Sequence, residues 1–414
     1  MRLEVVNTGT ELLLGQVVNT HVAYFGDHLL PLGIRIQRQT TVPDGAVIGE
    51  LLREVFPRTD AVLITGGLGP TSDDVTREVV AELLGRELRL DEALVEHIRG
   101  IFARYGRVMP ESNARQAMVP QGAVVLDNPQ GTAPGLYFPA AAGEHPHLFI
   151  LPGPPRELKP MFQNEVLPRL KAMVEGTGRV TTFRNLRVVG VGESQLAEVL
   201  EPALLDIGGL EIGYCARLGE VDVRVIGPVD RLDRAESLVR THFPDQFVNA
   251  DGRSLEQTVV ELLAERRLWL ATAESCTGGM IASKVTDVPG ASAVFRQGYV
   301  TYANAAKTEL LGVAEALLEE HGAVSEPVAR AMAEGALQRA GTDYAVAVTG
   351  IAGPGGGTPG KPVGTVYVAV ARRGLDSLVK RYQFVAERLG FKERTTRMAL
   401  ELVRRGILGL DPNA

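Results

Sequence analysis

The sequence predicts an α/β protein: two α/β domains with largely parallel sheets, joined by a small α+β unit. Three observations lead to this fold class. Short apolar runs such as Ala61–Thr65 end in glycine and alternate with amphipathic segments of helical spacing, which is typical of buried parallel strands and their crossover helices. Near residue 175 this alternation gives way to half-polar strand patterns, and it returns from Leu255. We expect domains at 1–172, 173–250 and 251–414.

The first domain alternates strand and helix from its start. In chain order we predict a strand at Leu3–Thr8, a helix carrying Val22 to Leu32, a helix capped by Asp44, a strand at Ala61–Thr65, a helix capped by Ser72, a helix from Asp91 and a strand at Leu148–Leu151. Helix-capping side chains and glycine stops mark the helix ends.

The remaining elements follow from the same patterns. For the middle unit we predict strands at Thr181–Val191 and Val221–Ile226, helices at Glu193–Leu200 and Arg231–Phe243, and a linker at Val248–Ser254. For the last domain we predict strands at Leu268–Ala273, Phe295–Thr301, Ala345–Val348, Thr365–Ala371 and Leu378–Phe384, and helices at Leu255–Arg266, Gly278–Thr286, Pro327–Ala340 and Phe391–Arg404.

Composition and charge exclude several classes of protein. The 414 residues are 45% hydrophobic and 22% charged, the balance of a globular protein. A net charge of −7 argues against direct nucleic-acid binding, which needs a basic face. No apolar run approaches the roughly 18 residues of a membrane helix, and the N-terminus reads as a strand and turn. We therefore expect a cytoplasmic protein without membrane contact. The two cysteines fit neither a disulfide framework nor a zinc site.

Three loops of the first domain follow predicted strands and carry unusual residues: 8–15, 66–74 and 128–135. Ligands of open α/β sheets bind outside the carboxyl ends of strands. The glycines of these loops let a phosphate approach the backbone, and carboxylates at Glu11, Asp73 and Asp74 suit a divalent metal that bridges a phosphate chain. The alternative for Asp73 and Asp74 is a purely structural role in the first turn of a helix.

The strongest local pattern of the last domain is Ala273–Gly279, which follows a buried strand and opens a helix. Ser275 at that turn is a candidate nucleophile, with a simple N-cap as the alternative. Lysine occurs seven times in the chain, so Lys307, near Tyr302 and just past a strand, is a candidate base once it is desolvated. Cys276 is a rival nucleophile, because a helix N-terminus also lowers the pKa of a thiol.

Two further segments of the last domain can contact an anion. The loop at 348–355 can offer backbone N–H groups to an oxyanion or phosphate. Arg394 and Arg397 are three residues apart and share one face of the last helix. The alternative for the two arginines is a solvated helix face.

The motifs GTELLLGQ, GGLGPTSDD, NPQGTAPG and LPGPPREL resemble the N-terminal domain of the CinA family, itself similar to molybdopterin-binding MogA/MoaB-type domains. The resemblance implies a metal-dependent ADP-ribose pyrophosphatase that yields AMP and ribose 5-phosphate. It implies that Glu11, Asp73 and Asp74 are the metal-binding or catalytic carboxylates. We expect the substrate at loop positions Gly67, Gly69, Thr71, Gly131, Thr132 and Gly153.

One position departs from the family pattern. The family often has Asn/Asp-Thr-Asn where this chain has Asn19-Thr20-His21. His21 is therefore either a residue of the site or a helix-start residue without a ligand role. The middle unit resembles the family's KH-like connector, but Gly190-Val191-Gly192-Glu193 is not the GXXG loop that holds RNA. We interpret it as a structural spacer rather than an RNA-binding domain.

The motifs AESCTGG, YVTYANAAK, VTGIAGPGG and ERTTR resemble the C-terminal CinA domain, a PncC-type nicotinamide mononucleotide deamidase. The resemblance implies hydrolysis of the substrate's carboxamide to the acid and ammonia, with Ser275 as nucleophile and Lys307 as base. It also implies that Tyr302 hydrogen-bonds within the site, that Thr349 and Gly350 line it, and that Arg394 and Arg397 meet the substrate phosphate or carboxylate. This chemistry requires no metal.

Three functional hypotheses follow. The first is a bifunctional, homodimeric enzyme of pyridine-nucleotide recycling, whose substrates are nicotinamide mononucleotide and ADP-ribose. The second keeps the deamidase but makes the N-terminal domain a non-catalytic nucleotide- or pterin-binding module. The third is a non-enzymatic partner in DNA uptake or recombination, against which the acidic charge argues.

Overall fold

The computed structural model describes residues 1–175 and 182–412. The chain forms two compact units, Met1–Thr182 and Phe183–Ala414. The predicted strand start at Thr181 lies outside the described residues, and the described part of that strand begins at Thr182. None of the described helices is both long and apolar enough to cross a bilayer.

The first unit alternates strands and helices. Its strands are β1 (Arg2–Thr8), β2 (Arg35–Val42), β3 (Ala61–Thr65), β4 (Leu88–Leu90), β5 (Met118–Pro120), β6 (Val124–Leu126), β7 (Gly135–Phe138) and β8 (His147–Leu151). Its helices are α1 (Thr10–Leu13), α2 (His21–Leu29), α3 (Val47–Val55), α4 (Thr76–Leu83), α5 (Glu92–Arg104), α6 (Pro155–Met161) and α7 (Leu167–Val174). A π-helical segment, Phe162–Val166, joins the last two.

Six of these strands form one sheet in the order β2-β1-β3-β8-β7-β6. The first four strands are parallel, and β7 and β6 are antiparallel to their neighbours. Strand β3 is buried on both faces, because Ala61 and Leu63 pack into one core while Val62 and Ile64 pack into the other. The apolar run that predicted this strand therefore reflects helices on both sides of the sheet.

Two predicted helix starts in this unit are wrong. Helix α4 begins at Thr76, so Ser72 does not cap it and Asp73 and Asp74 precede its first turn. The Asp74 carboxylate instead accepts hydrogen bonds from the backbone N–H and the hydroxyl of Thr71. Asp44 likewise lies outside α3, and its carboxylate accepts hydrogen bonds from Thr10. Competing hydrogen bonds explain both differences: Asp74 bonds to a residue three positions away, and Asp44 bonds to a residue 34 positions away.

The second unit begins with a small antiparallel sheet, and we call residues 183–250 the connector. Its strands β9 (Thr182–Val189), β10 (Glu211–Arg217), β11 (Glu220–Gly227) and β12 (Phe247–Asn249) have the order β10-β11-β9-β12, with α8 (Glu193–Ile207) and α9 (Val229–His242) packed on the sheet. Strand β10 was not predicted. Strand β12 occupies part of the predicted linker, because Phe247 and Asn249 are buried against β9.

The rest of the unit is built on a five-stranded sheet of order β14-β13-β15-β16-β17. These strands are β13 (Leu270–Glu274), β14 (Phe295–Val300), β15 (Tyr344–Gly350), β16 (Thr365–Arg372) and β17 (Leu375–Gln383). The helices are α10 (Leu255–Arg266), α11 (Met280–Thr286), α12 (Asn304–Leu311), α13 (Glu315–His321), α14 (Glu326–Ala340) and α15 (Arg388–Leu408).

The fold class is confirmed, with one difference in detail. The pairings β14-β13 and β13-β15 are parallel, whereas β15-β16 and β16-β17 are antiparallel. One face of this sheet is rich in alanine, including Ala271, Ala345 and Ala347, and packs against α14. The other face carries valines such as Val346 and Val348 and packs against α10 and α15. The last strands are antiparallel because a short turn, rather than a crossover helix, joins β16 to β17.

Candidate active sites

A cavity of about 500 Å³ opens in the first unit where β1, β3 and β8 end. The loops after these strands form its walls, as expected for an open α/β sheet. Seven of the residues predicted for this site line the cavity: Glu11, Gly67, Gly69, Asp73, Asp74, Thr132 and Gly153. Thr71 and Gly131 are not in its wall but contact residues that are. The structure thus brings together the loops that sequence reasoning selected.

Gly67 and Gly131 have specific steric roles at this cavity. Gly67 has a φ of +67°, and a Cβ there would overlap the side chain of Thr76. A Cβ on Gly131 would overlap the carboxylate of Glu157. Glu157 is buried in the cavity wall and accepts a hydrogen bond of 2.8 Å from Asn128 Nδ2. Sequence reasoning missed Glu157, although it stands in the LPGPPREL motif.

His21 lines the same cavity and is buried. Its Nδ1 lies 3.2 Å from the hydroxyl of Thr65, which donates a 3.0 Å hydrogen bond to Asn7 Oδ1. Burial lowers the pKa of the His21 imidazole below its ordinary value. His21 therefore contributes an uncharged ring to the cavity, and the structure places it in the site rather than only at the start of α2.

The carboxylates Glu11, Asp44, Asp73 and Asp74 all line the cavity. Carboxylate oxygens are the donors that hard divalent cations prefer, so the chemistry of this set fits such a cation. In residues 1–175 and 182–412, however, no three side chains of His, Cys, Asp or Glu form a group that could hold a metal ion. Metal binding would thus require carboxylates on separate loops to close around the ion.

The second candidate site lies at the carboxyl end of β13 in the second unit. Lys307 Nζ is 3.3 Å from Ser275 Oγ, although the two residues are 32 positions apart in the chain. The carbonyls of Thr301 and Tyr302 accept hydrogen bonds of 2.9 and 3.3 Å from the same Nζ. Lys307 is 1% exposed, and its burial lowers the pKa of the amine.

Three oxygen acceptors surround the amine of Lys307, and none of them carries a formal charge. Nζ donates to the carbonyls of Thr301 and Tyr302 and to Ser275 Oγ. An amine that has lost one proton can keep both bonds to the carbonyls and direct its lone pair at the hydroxyl proton of Ser275. A serine beside a desolvated lysine is an arrangement that activates a nucleophile.

A buried carboxylate fixes the turn that carries Ser275. Glu274 is 1% exposed and accepts four hydrogen bonds, from the Thr277 hydroxyl and from the backbone N–H groups of Gly279, Ile281 and Ala282. Helix α11 starts only at Met280, so the prediction that Ser275 stands at its N-terminus is wrong. Glu274, which sequence reasoning passed over, satisfies the free N–H groups there instead.

The surroundings of Cys276 argue against its role as the nucleophile. Its thiol is 5% exposed, and burial raises its pKa to about 12. At neutral pH such a thiol stays protonated and is a poor nucleophile. Burial raises the pKa of this thiol by more than the backbone N–H groups of Cys276 and Thr277 lower it, and the nearby Glu274 carboxylate raises it further.

Two other predicted residues, Tyr302 and Thr349, lie near the Ser275–Lys307 pair. The Tyr302 hydroxyl accepts a 3.0 Å hydrogen bond from Arg388. Thr349 is buried and donates its hydroxyl proton to the carbonyl of Ala323 at 2.7 Å. It follows Val348, whose carbonyl accepts a 3.1 Å hydrogen bond from the Ser275 N–H.

Helix α15 presents different basic residues to the site than the sequence predicted. Arg388 donates to the Tyr302 hydroxyl and to the Gly353 carbonyl, and Lys392 Nζ lies 3.9 Å from where a Cβ on Gly278 would be. These two residues are four apart and share a face. Arg397 instead has its Nη1 2.5 Å from Glu220 Oε1 in the connector.

Arg394 lies one turn before Arg397, on the same face of α15. It is half-buried, and its Nε has no hydrogen-bond partner among the described residues. Gly350 ends β15, and a Cβ there would lie 2.8 Å from the carbonyl oxygen of Thr365. The roles of Arg394, Arg397 and Gly350 toward a substrate stay predictions.

A carboxylate-lined cavity beyond a parallel sheet and a buried lysine beside a serine are features of multidomain α/β enzymes. The comparisons with known proteins define the family. Models of the "Probable molybdopterin binding domain", the "Damage-inducible protein CinA KH domain" and the "CinA C-terminal domain" match residues 4–172, 183–242 and 252–407. The chain belongs to the CinA family.

Two full-length relatives support this membership. A CinA-like protein of Akkermansia muciniphila is 50% identical over 400 residues, which cover 97% of this chain and 96% of the relative. A putative competence-damage inducible protein of Symbiobacterium thermophilum is 47% identical over 425 residues, 99% of each chain. The solved structure of competence/damage inducible protein CihA from Agrobacterium tumefaciens is 44% identical, with 36% of this chain and 92% of that chain covered and a TM-score of 0.36.

The contrast between the two cysteines gives a direct test of the site. Cys215 is exposed and Cys276 is buried. We expect one thiol per native chain to react rapidly with a chromogenic disulfide reagent at pH 7.5 or so, and both thiols to react after denaturation. Cys215→Ser should remove the rapid phase. Rapid labelling of native Cys215→Ser would contradict the environment described for Cys276.

Proposed function

We propose that the second unit hydrolyses the carboxamide of nicotinamide mononucleotide to the carboxylic acid and ammonia. The observation that supports this proposal is the 3.3 Å approach of Lys307 Nζ to Ser275 Oγ, with the amine buried among uncharged acceptors. Family membership adds that the residues carrying this pair belong to a CinA C-terminal domain.

In the proposed reaction, Ser275 Oγ attacks the carboxamide carbon while its proton passes to Lys307 Nζ. The tetrahedral intermediate collapses as the protonated amine gives that proton to the leaving nitrogen, and ammonia departs. Water then attacks the acyl-serine with the same amine as base, which releases the acid and restores the Ser275 hydroxyl. Arg388 and Lys392, with Arg394 as the sequence-based candidate, supply positive charge for the substrate phosphate.

For the first unit we propose hydrolysis of ADP-ribose to AMP and ribose 5-phosphate. The 500 Å³ cavity at the ends of β1, β3 and β8 supports a nucleotide-sized substrate. Glu11, Asp73 and Asp74 would hold a divalent cation, which when bound would neutralise the diphosphate and polarise it. The neutral imidazole of His21 and the buried Glu157 complete the polar wall.

A second candidate for the first unit is a nucleotide- or pterin-binding module without turnover. One observation favours it: the described residues contain no assembled group of three metal-ligating side chains.

Some relatives are named for competence or damage induction, but a net charge of −7 argues against direct contact with DNA.

The nucleophile is tested by Ser275→Ala. We expect ammonia release from nicotinamide mononucleotide to fall to background, because the Ser275 hydroxyl is the side-chain group 3.3 Å from Lys307 Nζ and burial keeps the Cys276 thiol protonated. Cys276→Ala is the matched control and should keep most of the activity. Full activity in Ser275→Ala, or its loss in Cys276→Ala, would reverse the assignment. Ammonia is measured by a coupled enzymatic assay.

The base is tested by the pH dependence of deamidation. Only the neutral amine can accept the Ser275 proton, and burial lowers the pKa of Lys307 from 10.5. The rate should therefore rise with pH and level off at a pH below 10.5. Lys307→Arg keeps the charge but cannot deprotonate, so it should lose about 10²-fold or more in kcat. A wild-type rate in Lys307→Arg would remove Lys307 from this role.

Metal dependence separates the two activities. A chelator should stop ADP-ribose hydrolysis and leave ammonia release unchanged, because diphosphate and carboxylates repel without a cation. Asp74→Ala should have the same effect and should not recover when metal is added. Glu96→Ala, which removes an exposed carboxylate of α5, is the control and should keep both activities. If the wild type with metal binds ADP-ribose without cleaving it, the binding-module alternative holds.

A further inference from the structure

The connector contacts helix α15 through the turn between β10 and β11. Gly219 at this turn has a φ of +85°, and a Cβ there would lie 3.1 Å from Met398 Cε of the helix. Leu218 Cδ1 lies 3.9 Å from where a Cβ on Gly390 would be. The turn and the helix belong to the same compact unit. The turn therefore packs directly on α15.

An ion pair between a buried carboxylate and a partly exposed guanidinium adds to this contact: the Arg397 side chain is 30% exposed, and its Nη1 approaches Glu220 without forming a hydrogen bond. Glu220 is 5% exposed, and its Oε1 lies 2.5 Å from Arg397 Nη1 of α15. Arg217 is also near Glu220, at 3.5 Å, but it has a closer carboxylate in Asp222 at 2.8 Å. Glu220 is thus the carboxylate of the connector that holds Arg397. Separating Arg397 from Glu220 would leave the buried carboxylate with only the more distant Arg217, so the charge of Glu220 favours the contact with α15.

The opposite face of the same helix reaches the deamidase site. Arg388 bonds to Tyr302, and Lys392 lies beside the loop that carries Ser275. An α-helix is rigid over these few turns, so a rotation or slide of its connector face moves its site face by a similar amount. Nearer the C-terminus of α15, Arg404 donates hydrogen bonds to the carbonyls of Asp245 and Phe247. These bonds form a second contact between the connector and the helix.

We propose that the connector positions the substrate-binding face of α15 through the ion pair between Glu220 and Arg397, and is therefore a working part of the deamidase site rather than a spacer. This inference rests on the proposed function of that site. Ser275 and Lys307 stand on the β13 turn and on α12 rather than on α15. The ion pair therefore governs how the phosphate is held and not the chemistry at the carboxamide.

The test is the steady-state kinetics of full-length Glu220→Gln with nicotinamide mononucleotide. We expect KM to rise about three- to tenfold, the scale of coupling through a packed network, with kcat within about twofold of wild type. A merely structural effect would lower the fraction of folded enzyme, which reduces the apparent kcat and leaves KM unchanged. Arg217→Gln is the matched control, since its 44% exposed side chain pairs within the connector, and its KM should stay at the wild-type value.

A double-mutant cycle separates positioning from direct contact. If Arg397 acts through Glu220, Arg397→Gln raises KM as Glu220→Gln does, and the double variant is no worse than either single variant. If Arg397 meets the phosphate itself, Arg397→Gln raises KM again in the Glu220→Gln background, and the inference is overturned. An unchanged KM in Glu220→Gln with an active wild type also overturns it. A wild-type protein that releases no ammonia overturns the proposed function first, and this inference with it.

Discussion

The burial of one amine is the constraint on which the C-terminal site depends. Lys307 Nζ has three oxygen neighbours, two main-chain carbonyls and the Ser275 hydroxyl, and none of them carries a formal charge. A carboxylate at this position would raise the pKa of the amine and keep it protonated. The site instead satisfies the N–H groups of Lys307 with uncharged acceptors, and burial lowers the pKa of the amine. The carboxylate that does lie nearby, Glu274, is held by four donors of its own turn.

The two candidate sites differ in the charge of the side chains that surround them. The cavity of the first unit gathers carboxylates on loops that follow parallel strands, and no lysine precedes Lys159 in the sequence. An anionic ligand there depends on backbone N–H groups, arginine or an added cation. The second site has uncharged oxygen acceptors around its reacting amine and places Arg388 and Lys392 at its edge. Electrostatics alone thus makes the two units suited to different chemistry.

Much of the fold could be predicted from local patterns, and the exact helix starts could not. Helix α10 has the predicted bounds because Ser254 and Gln257 form a capping box that is visible in the sequence. The starts at Thr76 and Met280 differ from expectation because Asp74 and Glu274 accept hydrogen bonds from neighbouring loop groups and from the N–H groups at the start of α11. The sequence shows that these acids lie within reach of such donors, but it does not decide which of the competing local hydrogen bonds forms.

The candidate sites, too, could be predicted only in part. Strand-end loops gathered around the first cavity as predicted, since strand ends share one edge of a parallel sheet. The approach of Lys307 to Ser275 joins two segments whose pairing the motifs suggested only through family resemblance. Arg388 and Lys392 were not predicted as site residues. Which face of a helix points to a site depends on the contacts that the opposite face makes. Here Glu220 and Gly219 occupy that other side.

The contacts between the connector and α15 affect how readily the C-terminal part could fold without the connector. Arg404 is almost fully buried, and two of its acceptors are main-chain carbonyls of residues 245 and 247. A polypeptide that began after residue 250 would leave this guanidinium and the apolar flank at Met398 facing water. The C-terminal part of this chain is therefore adapted to its neighbour. A free-standing domain of the same fold must differ on this side of its last helix. Shorter or more polar side chains would stand there in place of those that contact the connector.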